Sequence, residues 1–267
     1  MKWWRYVVAM ELRKLLAYRS DFWITFLGQT LIQLLVARAL WQMIFATQSV
    51  SVMQGFTLEM MTLYYLIVPI GMKILTGENI GFLAREIYDG TFTRYLLYPL
   101  SVFQYKTITY LTYSFFYTTQ LLILYSIFRI FISEAPYTMT DMGNLLAGMA
   151  LFMMAAMAYG MMALMIEMVS LWADNIWSLM VMLRFFTSFF GGGFVPLTFL
   201  PQWAQDALVW TPFPYLVSLP ARTIMGLTTF EEVARGSVII GVWILVFMEI
   251  VKLIWKRGQY KYTGVGI

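Results

Sequence analysis

The sequence predicts an all-α membrane protein with six transmembrane helices, and three observations predict it. Hydrophobic residues make up 61% of the 267 residues and charged residues only 12%, against roughly 45–50% and 25% in ordinary soluble domains. Mean hydropathy is +0.72. The apolar residues also arrive in blocks of about 20, the length that crosses a hydrocarbon core. A soluble enzyme, a nucleic-acid binder and a disordered scaffold are thereby set aside. The chain has neither Cys nor His, which removes thiolate and imidazole chemistry, disulfides and the common zinc sites. Its net charge of +4 comes from basic residues at the ends of the hydrophobic blocks, where they report topology rather than an anionic partner.

Residues 1–20 are too charged to cross a bilayer. Trp4, Val8, Leu12, Leu15 and Leu16 fall on one helical face, with Lys2, Arg5 and Arg13 opposite. This spacing predicts an amphipathic helix in the membrane interface. No short apolar core ends at a small-residue cleavage site, so the mature protein is expected to keep it. Six spans follow at about 22–46, 57–76, 102–132, 143–169, 176–195 and 236–255. Five Lys and Arg lie in residues 1–21, Arg85 and Arg94 lie between the second and third spans, and Lys252, Lys256, Arg257 and Lys261 lie at the end. The 47–56 loop has none. Both termini are therefore expected in the cytoplasm.

The polar intervals carry the functional signal. Residues 77–101 form the one sizeable cytoplasmic loop. A short helix is predicted through Tyr88 and stopped at Asp89-Gly90, because glycine tolerates the left-handed conformation of a helix end. A second turn from Thr91 closes at Pro99, and Ser101 with Gln104 forms a capping box for the third span. Such a stiff element, holding Arg85, Glu86, Asp89, Arg94 and Tyr95, suits force transfer from a soluble motor; it also suits an ordinary interfacial connector. The 191–226 stretch holds five of the eight prolines, Pro196, Pro201, Pro212, Pro214 and Pro220. Each interior proline breaks a helix, so a pair of short helices dipping into the outer leaflet is expected over 195–222, where broken backbone is tolerated against protein or water. No repeat, low-complexity tract or linker divides the chain, and 1–267 reads as a single membrane domain.

No G-x-x-x-x-G-K-[ST] phosphate loop occurs, so the chain has no ATP site of that kind. No G-x-S-x-G elbow or His-based triad occurs either. Arg38, with Trp41 and Gln42 beyond it, lies inside the first span and either meets an anionic substrate or partner, or snorkels to the outer interface. Glu59 and Arg129 lie near interfaces and are expected to be solvated; Lys73 and Lys106 report topology. Glu167 and Arg184 flank the turn at Asp174-Asn175 and could pair across a hairpin. Glu249 and Lys252, three apart, should pair locally. Thr107, Thr109, Thr112, Ser114, Thr118, Thr119 and Gln120 of the third span could line a path or make interhelical hydrogen bonds.

The run EIYDGTFTRYLLYPLS (86–101) resembles the E-I-x-x-G-T-x-x-x-x-L-L-x-P-[LM]-S segment of ABC-2 type transporter permeases. The run G-G-x-F-V-P-L-x-x-L-P-x-W (192–203), followed by P-F-x-Y…P…G from Pro212 to Gly226, resembles the segment between the last two spans of the same family. Tyr88 and Phe92 depart from it. The resemblance implies a type V exporter: two permease subunits, of the same or a homologous chain, and two cytosolic ABC ATPase subunits that bind ATP and Mg. In the permease itself it implies no cofactor and no metal, and the partners are lipid and protein, with no nucleic acid. The N-terminal helix becomes an elbow helix. Residues 79–98 become a coupling helix whose Arg85, Glu86, Asp89, Gly90, Thr91, Arg94, Tyr95 and Pro99 serve the ATPase, with Asp174 as a second contact. Arg38, Trp41 and Arg184 fall near a pathway formed by the first, second and fifth spans. Gly192, Pro196, Pro201, Trp203, Pro212 and Pro214 form a re-entrant gate, and the subunit sits in the bacterial inner membrane. An ion-coupled secondary transporter would want mid-span carboxylates, which are lacking. A lipid-modifying membrane enzyme would want clustered acids, and only Glu78, Glu86 and Asp89 come close.

Overall fold

The computed structural model describes residues 3–17, 19–77, 81–131, 139–173 and 175–261. Among them are α1 (Trp3–Ala17), α2 (Arg19–Gln48), α3 (Leu58–Thr76), α4 (Phe82–Tyr88), α5 (Val102–Phe131), α6 (Met139–Glu167), α7 (Trp177–Phe190), α8 (Gln202–Leu208), α9 (Phe213–Leu216), α10 (Ser218–Ile224) and α11 (Phe230–Gly258), with no strand. The end of the bundle carrying residues 81–101 is called the connector end, and the opposite one the far end. Five helices are long and apolar enough to cross a membrane, within α2, α3, α5, α6 and α11.

The expected fifth span is the exception. It is the 14-residue α7, which at 1.5 Å per residue reaches only about 21 Å against a hydrocarbon core of about 30 Å. The sequence stops it: Gly191-Gly192-Gly193 follows, and Gly192 takes φ +86°, a left-handed value that side chains with a Cβ resist. The chain then breaks into a turn and the short helices α8, α9 and α10 instead of the expected pair. Pro201 and Pro212 sit at the N-caps of α8 and α9, positions where a missing N–H costs nothing.

Helix starts are capped where the sequence offers an acceptor. Thr57 accepts from the Met60 amide at 3.2 Å. Ser101 and Gln104 make the reciprocal pair at 3.3 and 3.2 Å, and Thr229 with Glu232 does the same at α11. At the centre of the bundle α3 is buried over most of its length. Against it, α6 presents Ala155, Ala156 and Ala158, all at 0% exposure; small side chains let helix backbones approach where lipid supplies no hydrophobic drive. At the far end Gly148 of α6 lies so close to Pro220 and Ile224 of α10 that a Cβ would collide with them. The hydroxyls of α5 serve packing: Ser114 donates to the Ile74 carbonyl of α3 at 2.8 Å, and Thr112 and Thr118 bond back within their own helix.

α1 packs on α5 through part of the face read as apolar. Glu11 and Leu15 are buried, while Trp4 and Leu16 remain exposed. Glu11 pairs with Lys14 at 3.0 Å and accepts from the Tyr113 hydroxyl at 3.5 Å. Leu15 and the half-buried Val8 and Leu12 belong to that face, and beside them the Tyr113 phenol satisfies the buried Glu11 carboxylate. Arg129 is likewise not simply solvated, since it pairs with Asp141 at 3.3 Å between α5 and α6. Glu249 and Lys252 pair at 2.6 Å.

Candidate functional site

The connector begins at Gly81, which has no side chain to cap α4. Its first amides need an acceptor from elsewhere, and α6 supplies it. Glu167, buried at the helix end, accepts from the Gly81 amide at 2.7 Å and the Leu83 amide at 2.9 Å. A carboxylate there also answers the partial positive charge of the exposed N–H groups. α4 ends at Asp89, and Gly90 reverses the chain with φ +69° into a 3-10 turn over Thr91–Leu97.

Glu86 ties these pieces together. One oxygen accepts from Arg94 and from the Tyr95 hydroxyl, the latter at 2.8 Å, and the other from Lys106 of α5 at 2.8 Å. The Lys106 and Arg94 cations also lie over the Tyr95 ring, each 5.1 Å from its centre. Burial, and next the hydrogen bond to Glu86, holds the Tyr95 phenol above its ordinary range, so it stays a donor. Beneath, Leu83, Ile87, Phe92 and Tyr95 share a small core with Met168 and Leu171 of the 3-10 turn that follows α6 and with Val251 of α11. The outer face of α4 stays open, with Phe82, Arg85, Tyr88 and Asp89 exposed and Arg85 3.5 Å from Asp89. Beside it a cavity of about 480 Å³ is bounded by Arg85, Tyr88, Asn175 and Trp177.

The second feature is a groove of about 650 Å³ between α2, α3 and the Gly-rich turn after α7. α2 turns Phe26, Thr30, Ala37, Trp41 and Phe45 inward, each buried and spaced by four or seven residues, one face of a helix; Phe26 lies against Tyr117 of α5 and Trp41 against Tyr65 of α3. Most of the other described residues of α2 are exposed, so the helix leans on the bundle by a narrow stripe and leaves a slot beside it. Gln29 and Gln33 of α2, and Tyr65, Pro69, Met72 and Lys73 of α3, line that slot. At the far end Tyr65 donates to the Phe194 carbonyl at 2.6 Å and Tyr64 donates to Gly192. Trp41 lies against Tyr65 and Phe199, with ring centres 6.4 and 5.4 Å apart.

The expected site residues divide accordingly. Arg85, Glu86, Asp89, Gly90, Thr91, Arg94 and Tyr95 are gathered in the connector, and Pro99 follows its last turn. Glu86 and Tyr95 point into it rather than outward. Asp174 lies outside the described residues. Of the pathway residues, Trp41 lines the groove, whereas Arg38 and Arg184 are exposed and not among its lining. Arg184 lies near Tyr159, and no ion pair joins it to Glu167, whose oxygens are taken by the connector amides. Gly192 and Pro196 are buried at the turn and Pro212 is buried; Pro214 lines a second, far-end cavity of about 420 Å³ with Arg222 and Arg235. Trp203 is exposed. Sequence reasoning missed Glu167 as a cap and Lys106 as an anchor. A short helix opening on glycine, with no side-chain acceptor of its own, was the available sign of a borrowed one.

The profile of the family described as "ABC-2 family transporter protein" matches residues 31–266. No curated protein and no solved structure matches the chain.

Proposed function

The chain belongs to the ABC-2 transporter family, a multi-pass membrane transport permease, and we propose that it is the permease subunit of an ATP-driven exporter in a bacterial inner membrane. ATP is bound with Mg and hydrolysed by two separate cytosolic ABC ATPase subunits that dock on the connector. The observation that carries this is the connector itself. It is anchored to α5 and α6 by Glu86 and Glu167, glued to the bundle by its own core, and still presents Phe82, Arg85, Tyr88 and Asp89 outward beside a cavity. A segment fixed from within and open without is suited to receive a push and pass it on.

In this reading the connector end, both termini and the charged tail of α11 face the cytoplasm, as the Lys and Arg distribution suggests. α7 and the broken helices after it form the remaining crossing and the outer gate. A second permease covers the exposed apolar residues of α2 and α7, and substrate moves outward along the groove beside α2. The test is co-reconstitution with an ABC ATPase encoded beside this chain. ATP-dependent export and permease-stimulated ATPase should appear only with both partners. Arg85→Glu combined with Tyr88→Ala should reduce the stimulation at least tenfold while leaving the fold intact. Unaltered stimulation in that variant, or uphill transport by the chain alone, overturns the proposal.

A further inference from the structure

The groove is chemically lopsided. Its connector end is polar, with Gln29 and Thr30 of α2 opposite Lys73 and Thr76 in the last turn of α3. Toward the far end the wall becomes Val36, Leu40, Trp41, Tyr65 and Val68. No carboxylate lines it among the described residues, and Lys73 has no ion-pair partner among them. Thr76 to Tyr65 is eleven helical steps, roughly 16 Å, close to the depth of one bilayer leaflet, about 15 Å. The volume of about 650 Å³ lies within the roughly 300–1,000 Å³ of small-molecule sites.

We propose that the groove binds a single-tailed amphiphile with an anionic headgroup, the headgroup on Lys73 at the connector end and the tail running to Trp41. This rests on the groove being the substrate's path and names the class of substrate. The charge argument selects the occupant. A tail that expels water from the slot leaves the Lys73 ammonium poorly solvated unless the ligand supplies the counter-charge. A cationic headgroup would meet repulsion, and a neutral one no compensation. The Gln29 and Gln33 amides add neutral donors that suit a phosphate, sulfate or carboxylate, while the Thr76 hydroxyl already donates to the Met72 carbonyl at 2.9 Å.

The test uses the full chain in nanodiscs of zwitterionic lipid, without nucleotide or ATPase. The probes are 12-bromododecyl phosphate and 12-bromododecyltrimethylammonium, whose tail-tip bromine quenches nearby indoles. Because the chain has ten Trp, the signal read is the quenching lost in Trp41→Phe. The phosphate probe should quench Trp41 at a concentration at least tenfold lower than the ammonium probe. Lys73→Gln should abolish that difference, and Lys73→Arg should keep it. Equal action of the two headgroups, or a preference that survives Lys73→Gln, overturns the proposal. So does absence of Trp41 quenching by either probe, the result expected if a second copy fills the groove. Any of these leaves the ATP-dependent export experiment untouched, and failure of that experiment alone would instead sink the transport reading.

Discussion

Replacing Glu86 with alanine should loosen the connector without unfolding the bundle. The Glu86 and Lys106 side chains are 13% and 14% exposed, whereas Arg94 is 52% exposed. The Arg94 pair is therefore screened and worth about 0–1 kcal/mol. The Lys106 ammonium is the expensive remainder, because removing one partner of a buried pair typically costs about 3–5 kcal/mol. With partial access to water we take roughly 2–4 kcal/mol, discounted from that range. In hydrogen exchange this corresponds to a loss of protection of roughly 30- to 700-fold, at 1.4 kcal/mol per decade. It should be confined to amides of residues 82–97, with α3 and α6 unchanged. Adding Lys106→Met to Glu86→Leu removes both charges, so the double variant should recover most of the protection lost in Glu86→Leu alone. Exchange in Glu86→Ala within threefold of wild type, or a double variant as loose as the single one, would refute the idea that this ion pair sets the stiffness of the connector.

Two further perturbations probe the same element. Gly90→Val places a β-branched residue at φ +69° and should cost about 1–2 kcal/mol or more, read as protease cleavage between α4 and the following turn. Glu167→Gln keeps one carbonyl acceptor but loses the charge facing the Gly81 and Leu83 amides. It should raise exchange at those two amides by roughly tenfold or more, since charge-assisted bonds are about twice as strong as neutral ones, while Arg184→Gln should leave them unaffected.

Much of the connector was legible in advance because its signals are local. Asp89-Gly90 ends a helix, and Ser101 with Gln104 starts one, through contacts only a few residues apart. The partners of Glu86 and Glu167 were not legible in the same way. Lys106 is 20 positions from Glu86, and Gly81 is 86 from Glu167, so only the folded chain decides who meets whom. The expected Glu167–Arg184 pair failed because two unsatisfied amides outcompete a guanidinium that can stay solvated. For α1 the spacing marked an amphipathic helix but not its partner, because the burial of Glu11 against Tyr113 joins residues 102 positions apart. The short α7 could have been anticipated from its three successive glycines, which a count of apolar residues passes over. The groove required the narrow contact stripe of α2, which periodicity alone does not assign to a neighbour.

α6 touches both ends of the molecule. Its last residue holds the first turn of the connector, and near its beginning Gly148 is wedged against α10. Its 29 residues form a rod of roughly 44 Å, filled along its middle by alanines that leave no slack for bending to absorb. Such a rod behaves as a lever. A tilt of about 5° swings its tip by roughly 4 Å over that length, comparable to the width of a methylene chain, so in the proposed transport cycle a small displacement at the connector would be felt at α10.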